Sequence, residues 1–291
     1  TVGGVGNYVI TISNGINYET KAVTINDISI INCEISTPTN NSDTNVSNII
    51  LIGTSFGTFV GDTVRIYVNG ILNSIYNLTA DNGNWSGTAN ISNIGDSVVA
   101  FVLSNILSRT AYDTITLNYW AGPRIEITQP NTISYDTIVN MIIISGTADK
   151  VKNGDTVILY RNSVEQSRVS VSSGIWSGTA SLTNIGDSIV AEVIDMFNQK
   201  SWDTIIVNYY ATPDIKITMP NNYYDTFQMN ITIKGTTLNT AISDSIEIYV
   251  NNVFNNKISI SSNSWQSTAQ LTGYGDTIVA RLIDKFGREK Y

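Results

Sequence analysis

The chain of 291 residues contains no histidine, and that single absence removes a large part of enzyme chemistry. Without imidazole there is no Ser-His-Asp or Cys-His nucleophile pair, no histidine-ligated zinc and no side chain that titrates unaided near neutral pH. Cysteine is nearly absent too. Cys33 stands alone, so neither an internal disulfide nor a Cys-x-x-Cys metal knuckle can form. Close to Ile31 and Ile35, it reads as a small buried hydrophobe rather than a reactive thiol. Only 14% of residues are charged, 16 basic against 24 acidic, for a net charge of −8. An acidic chain without Lys/Arg clusters is a poor partner for nucleic acid. No apolar run reaches the roughly 18 residues that a membrane-spanning helix needs. The apolar content of 42% is too high for a disordered chain. The first residues, Thr1-Val2-Gly3-Gly4, include no methionine and no basic segment leading into an apolar one, so any secretion signal is expected to have been removed or to lie upstream.

What is present is a repeat. Gly83-Asn84-Trp85-Ser86-Gly87-Thr88-Ala89 returns as Gly174-Ile175-Trp176-Ser177-Gly178-Thr179-Ala180 and, degraded, as Asn263-Ser264-Trp265-Gln266-Ser267-Thr268-Ala269. Each copy is followed by a Gly-Asp strand start, at Gly95-Asp96, Gly186-Asp187 and Gly275-Asp276. Upstream lie Gly53-Thr54, Gly146-Thr147 and Gly235-Thr236, then Asp62, Asp155 and Asp244 opening runs of Ile, Val and Tyr. The tryptophans are spaced 91 and 89 residues apart and the Gly-Thr pairs 93 and 89. Independent markers sharing one period identify tandem modules of about 90 residues.

Inside a module the pattern is all-β. The middle copy offers seven short runs rich in Ile, Val, Thr and Tyr: 125–128, 141–145, 156–160, 167–171, 176–182, 188–194 and 204–209. Asn, Gly, Asp and Pro clusters separate them, and no window carries helical periodicity. Seven such strands in a module of this size predict an immunoglobulin-like Greek-key β-sandwich. In the 188–194 run, alternation sends Ile189, Ala191 and Val193 into the core and Glu192 outward. The residues matching Glu192 are Phe101 and Arg281, and an outward Phe101 is unusual. Pro123 and Pro213, 90 residues apart, mark passages from one sandwich to the next without a flexible spacer, which favours a stiff, extended array.

These motifs resemble the bacterial immunoglobulin-like (Big-type) repeats of large extracellular surface and adhesin-like proteins. The resemblance rests on the Gly-Thr segment, the Tyr67-Val68-Asn69-Gly70 hairpin with its counterparts Tyr160-Arg161-Asn162-Ser163 and Tyr249-Val250-Asn251-Asn252, the Gly-x-Trp-Ser segment and the Gly-Asp strand. It covers almost the whole chain. The usual Ala-Gly-Asn-x-Ser turn of that family is altered here to Phe197-Asn198-Gln199-Lys200-Ser201. Such modules serve as stalks, adhesin shafts, filament subunits and enzyme appendages, so the resemblance implies a surface location more than an activity.

The repeat boundaries predict residues 1–29 as the last two strands of a preceding or neighbouring sandwich, 30–121 as repeat 1, 122–211 as repeat 2 and 212–291 as repeat 3 without its final strand. Tyr291 aligns with Trp202 and Tyr112, which precede that strand. Two readings follow: the chain is a window on a longer repeat protein, or the N-terminal segment of one copy completes the third sandwich of another by strand addition. The second assigns assembly roles to Val23 and Ile25 on the donor and to Ile278, Ala280 and Leu282 on the acceptor strand, with Phe101 as an additional outward residue.

Chemical sites weigh little. Asp96, Asp187 and Asp276, like Asp62, Asp155 and Asp244, gather too few oxygens for Ca²⁺, and Gly-Asp is an ordinary turn entry. Trp85, Trp176 and Trp265 read as core packing rather than a sugar-stacking platform. Tyr209-Tyr210 and Tyr223-Tyr224 read as interface packing. Lysines are not periodic, so repeated isopeptide crosslinks are unsupported, and Asn-x-Ser/Thr triplets are frequent by composition alone. No cofactor, metal or catalytic group is indicated. The expectation is a structural, non-enzymatic, extracellular or cell-surface fibre or stalk whose partner is itself. The alternative is an adhesin or carbohydrate-binding arm of a larger protein.

Overall fold

The computed structural model describes residues 6–25, 30–81 and 83–291, and every described element is a strand or a turn. Among the described residues, strands β1 (Gly6–Ser13) and β2 (Tyr18–Ile25) pair only with each other, as an antiparallel hairpin in which Tyr8 faces Val23. Repeat 1 follows as β3 (Asn32–Thr37), β4 (Ser42–Thr44), β5 (Asn48–Phe56), β6 (Thr63–Val68), β7 (Ile71–Asn77), β8 (Asn84–Asn90), β9 (Ile94–Ser104) and β10 (Arg109–Tyr119). Repeat 2 comprises β11 (Arg124–Gln129), β12 (Ser134–Thr137), β13 (Met141–Asp149), β14 (Thr156–Arg161), β15 (Val164–Ser170), β16 (Ile175–Ser181), β17 (Asp187–Ile194) and β18 (Lys200–Tyr209). Repeat 3 comprises β19 (Asp214–Met219), β20 (Asn230–Leu238), β21 (Ser245–Val250), β22 (Val253–Ser259), β23 (Ser264–Gln270), β24 (Ile278–Ile283) and β25 (Glu289–Lys290).

Each repeat packs a three-stranded sheet on a larger one. The small sheets are β3-β5-β8, β11-β13-β16 and β19-β20-β23. The large sheets are β4-β10-β9-β6-β7, β12-β18-β17-β14-β15 and the shorter β22-β21-β24-β25. Strands that neighbour in space but not in sequence make this an immunoglobulin-like sandwich, with a core of Val, Ile and Leu between the sheets. Alternation works as expected: Ile189, Ala191 and Val193 are fully buried, while Glu192 lies on the opposite face.

Repeat 2 has eight strands where the pattern predicted seven. The additional strand, β12, pairs in parallel with β18 from Ser134↔Ile206 to Thr137↔Tyr209, as β4 does with β10. It is short, and its only buried residue is Thr137, so no apolar run announces it. In repeat 3 the residues matching β12, Tyr224-Asp225-Thr226, form no strand. The chain separates into two compact units, Thr1–Gly122 and Pro123–Tyr291, the second containing the cores of repeats 2 and 3.

Candidate functional site

The recurring aspartates are loop clamps. Asp96 accepts hydrogen bonds from the Ser92 and Asn93 N–H groups and from Asn69 Nδ2, at 2.6, 3.0 and 2.8 Å. Asp187 repeats this with Thr183, Asn184 and Asn162, and Asp276 with Thr272, Gly273 and Asn251. Burial alone would raise the Asp96 and Asp187 carboxyls, but these donors outweigh it and hold both below the usual range. Asp276 is lowered to about 2 by the Thr272 hydroxyl and N–H and the Asn251 amide. The asparagine in each trio sits at the first position of a two-residue hairpin turn, with φ of 49°, 47° and 50° at Asn69, Asn162 and Asn251. One carboxylate therefore joins a hairpin tip to the loop entering the next strand. Asp62 likewise accepts from the Phe59 and Asn105 N–H groups, and Asp244 from those of Ala241 and Lys285. Among the described residues no cluster of three or more acids and thiols could hold a metal ion. Cys33 is buried, and burial, with the charge of Asp113, pushes its thiol up to about 12.

Trp85, Trp176 and Trp265 are buried against their cores. Trp85 Nε1 donates to the Thr54 carbonyl at 3.1 Å and Trp176 Nε1 to that of Thr147 at 3.2 Å. The glycine before that threonine is required by the ring. A Cβ at Gly53, Gly146 or Gly235 would land on the indole and on the carbonyl of the facing strand. None of these three rings has a face left open to a sugar.

A polar clasp joins repeats 2 and 3. Lys285 Nζ bonds Asp136 Oδ2 at 2.7 Å and lies 3.6 Å from the centre of the Tyr210 ring. Tyr210 meets Phe286 edge-on at 5.2 Å. Arg288 pairs with Asp284 at 2.6 Å and donates to the Ala211 carbonyl at 3.1 Å. Burial opposes the charge on Lys285, but Asp136 and Tyr210 outweigh it and raise its pKa; Lys285 and Asn208 in turn lower that of Asp136. Tyr210 thus packs at a junction, as expected. Tyr209 packs against the core of repeat 2, whereas Tyr223 and Tyr224 are exposed.

No family model matches the chain, and no curated protein matches its sequence. Among solved structures it is similar to the I-band fragment I67-I69 from titin, at a TM-score of 0.59 and 9% identity over 89% of this chain and 95% of that one. An E-to-A variant of the same three titin domains aligns with a TM-score of 0.57 at 10% identity, over 86% and 93% of the two chains. The fold is that of tandem immunoglobulin-like domains. A fragment of a 1.5-MDa bacterial ice-binding adhesin aligns over 90% of this chain and 94% of that one at 16% identity, but with a TM-score of 0.35. At these identities the two titin likenesses speak for the fold alone, and the adhesin alignment carries no argument.

The residues assigned to strand addition fall in two places. On β24, Ala280 and Leu282 are buried and Ile278 packs against the core of repeat 3. One edge of β24 pairs with β21 along its whole length. The other pairs with β25 only at Leu282 and Ile283, so from Ile278 to Arg281 it has no partner strand among the described residues. The matching strand β17 is paired with β18 from Asp187 to Ile194. Val23 is half-buried in the hairpin, the side chain of Ile25 lies outside the described residues, and Val9, Ile12 and Tyr18 are 68%, 72% and 77% exposed.

Phe101 lies on the outer face of repeat 1's large sheet. It is half-buried, opposite Arg65 on β6 and Tyr112 on β10, and meets Tyr67 edge-on at 6.5 Å. Sequence reasoning singled out Phe101 but not its contacts with these neighbours, because they lie on two other strands.

Proposed function

We propose that this chain is a non-enzymatic structural segment, a shaft or filament built of Big-type immunoglobulin-like repeats at an extracellular or cell-surface location. The observation that carries this reading is the Lys285 clasp: a cation, an aromatic ring and a carboxylate from two successive repeats hold one another where a free linker would otherwise lie. The strand pattern supports it. In repeats 1 and 2 the early strand β4 or β12 lies parallel to the last strand, so tension along the chain would load those ladder hydrogen bonds together, in shear. Asp136 belongs to both devices, since it also accepts from Asn208 Nδ2 at 2.7 Å. The recurring polar side chains are used within their own repeats, which leaves little for chemistry on a substrate.

The test measures the distance distribution between spin labels on repeats 2 and 3 of the full chain, in wild type and in a Lys285→Met, Arg288→Gln variant. These replacements are the residues repeat 2 carries at the same positions, Met196 and Gln199. A narrow distribution that broadens in the variant is expected. A broad one in wild type would mean a string of independent beads and would end the shaft reading.

Growth of such a filament by strand addition is part of this proposal. The open edge of β24 would receive β2 of another copy, with Val23 and Ile25 covering the core beside Ile278. Val23→Asp is expected to stop head-to-tail growth in light scattering. Unchanged growth would remove strand addition and leave the shaft reading in place.

A further inference from the structure

The outer faces of the three large sheets can be compared row by row, because the registers match. In repeat 2 one row runs Arg168–Ile158–Glu192–Trp202 across β15, β14, β17 and β18. Its charges close locally: Lys200 pairs with Glu192 at 3.0 Å, Arg168 with Glu165 at 3.1 Å, and Tyr160 donates to Glu192. In repeat 3, Lys257, Glu247 and Arg281 continue the same row. There Lys257 pairs with Glu247 at 3.4 Å and Arg281 with Glu289. Each face thus carries four charges in two ion pairs.

Repeat 1 abandons that scheme. Its row is Ile75–Arg65–Phe101–Tyr112 across β7, β6, β9 and β10. Leu72 and Tyr67 form the next row. None of the outward residues of these four strands is acidic, and Asp43 on the edge strand β4 is engaged by Trp120 and Asn118. Arg65 has no carboxylate partner among the described residues; its Nε is buried without a hydrogen bond, as is that of Arg281 in repeat 3. Around it Ile75, Leu72 and Tyr112 are 55%, 47% and 70% exposed.

We propose that this face pairs with the same face of a second copy. A two-fold axis along the strands, between β6 and β9, turns the row onto itself in reverse. Arg65 then lies on the ring of Phe101 of the second copy, twice, and Ile75 on Tyr112. A guanidinium over an aromatic face is attractive, and more so when desolvated. The charge balance points the same way. The molecule carries −8 overall, whereas this face presents one cation, no acid and π-faces to receive it. Four strands about 4.8 Å apart span less than the roughly 800 Å² per partner of a standard interface, so the pairing is weak and reversible. It goes beyond the shaft reading: it would set filaments side by side rather than end to end.

Sedimentation equilibrium tests it on the full chain carrying Val23→Asp, which removes end-to-end strand addition. The average mass is expected to rise with concentration, between about micromolar and millimolar, and to level off at two chains. Phe101→Glu installs the repeat 2 residue opposite Arg65, closes the charge inside the face and should weaken pairing on the order of tenfold or more. Tyr112→Thr should weaken it less, and Trp202→Thr on the repeat 2 face should leave it unchanged. Circular dichroism melts check that each variant is folded. A wild-type face that stays monomeric throughout, growth past two chains, or undiminished pairing in Phe101→Glu would each overturn the proposal.

Discussion

The interior of the three sandwiches and the outer face of their large sheets obey different rules. Inside, the copies are nearly interchangeable: a buried tryptophan, a glycine beneath its ring, an aspartate joining hairpin tip to loop. Outside, one row of the same sheet is occupied by Phe101 and Arg65, by Glu192 and Ile158, or by Arg281 and Glu247. The contrast has a physical origin. A close-packed interior rejects changes of a single methylene, whereas an outer face accepts anything that stays soluble.

Four measurements would break or sharpen this contrast. Trp176→Ala empties the centre of repeat 2 and should cost about 3–5 kcal/mol. Chemical denaturation should show that repeat destabilised most. A smaller loss, with the midpoint nearly unmoved, would mean that the indole is not a core residue.

Acid comes next. The Asp96, Asp187 and Asp276 carboxyls lie below their ordinary value of 3.8 in the folded chain, Asp276 at about 2. A depressed carboxyl stabilises the fold above its unfolded value, and that contribution is lost as pH falls through the folded one. Melting temperature should therefore be level from neutral pH to about 5 and fall progressively below about 4. A level profile down to pH 2 would dismiss the aspartate clamps.

Ser163→Gly is a smaller perturbation and should stabilise. Asn162 and Ser163 both adopt positive φ, 47° and 70°, in a turn where repeat 1 places Gly70. Glycine relieves left-handed strain but adds unfolded-state freedom, for a net gain of about 0.5–1 kcal/mol. A lower melting temperature would show that the Ser163 side chain matters in its own right. Glu192→Phe, which gives repeat 2 the outer residue of repeat 1, should change stability least, by about 0.5 kcal/mol. A loss of several kcal/mol, read by calorimetry, would show that the outer face is as constrained as the core.

Much was legible before any coordinates. The period near 90, the sandwich class and the inward set Ile189, Ala191 and Val193 follow from spacing and alternation, which are local properties of a β chain. The core roles of the tryptophans were legible from their recurrence at one position. Strand β12 was not: its ladder is parallel, made with residues some 70 positions away, and it leaves almost no apolar trace. Nor was the aspartate clamp, since Gly-Asp before a strand signals only a turn, while the partner Asn162 sits 25 residues upstream on another hairpin.

The sequence by itself determined the architecture, because burial must alternate along a strand and turns need residues that tolerate them. Only the tertiary structure decided which surface residues meet. Phe101, Arg65, Ile75 and Tyr112 lie on four strands, and Lys285, Asp136 and Tyr210 on two repeats. Such neighbours are set by sheet order and register, which bring distant positions within reach and are written in no single segment of the chain.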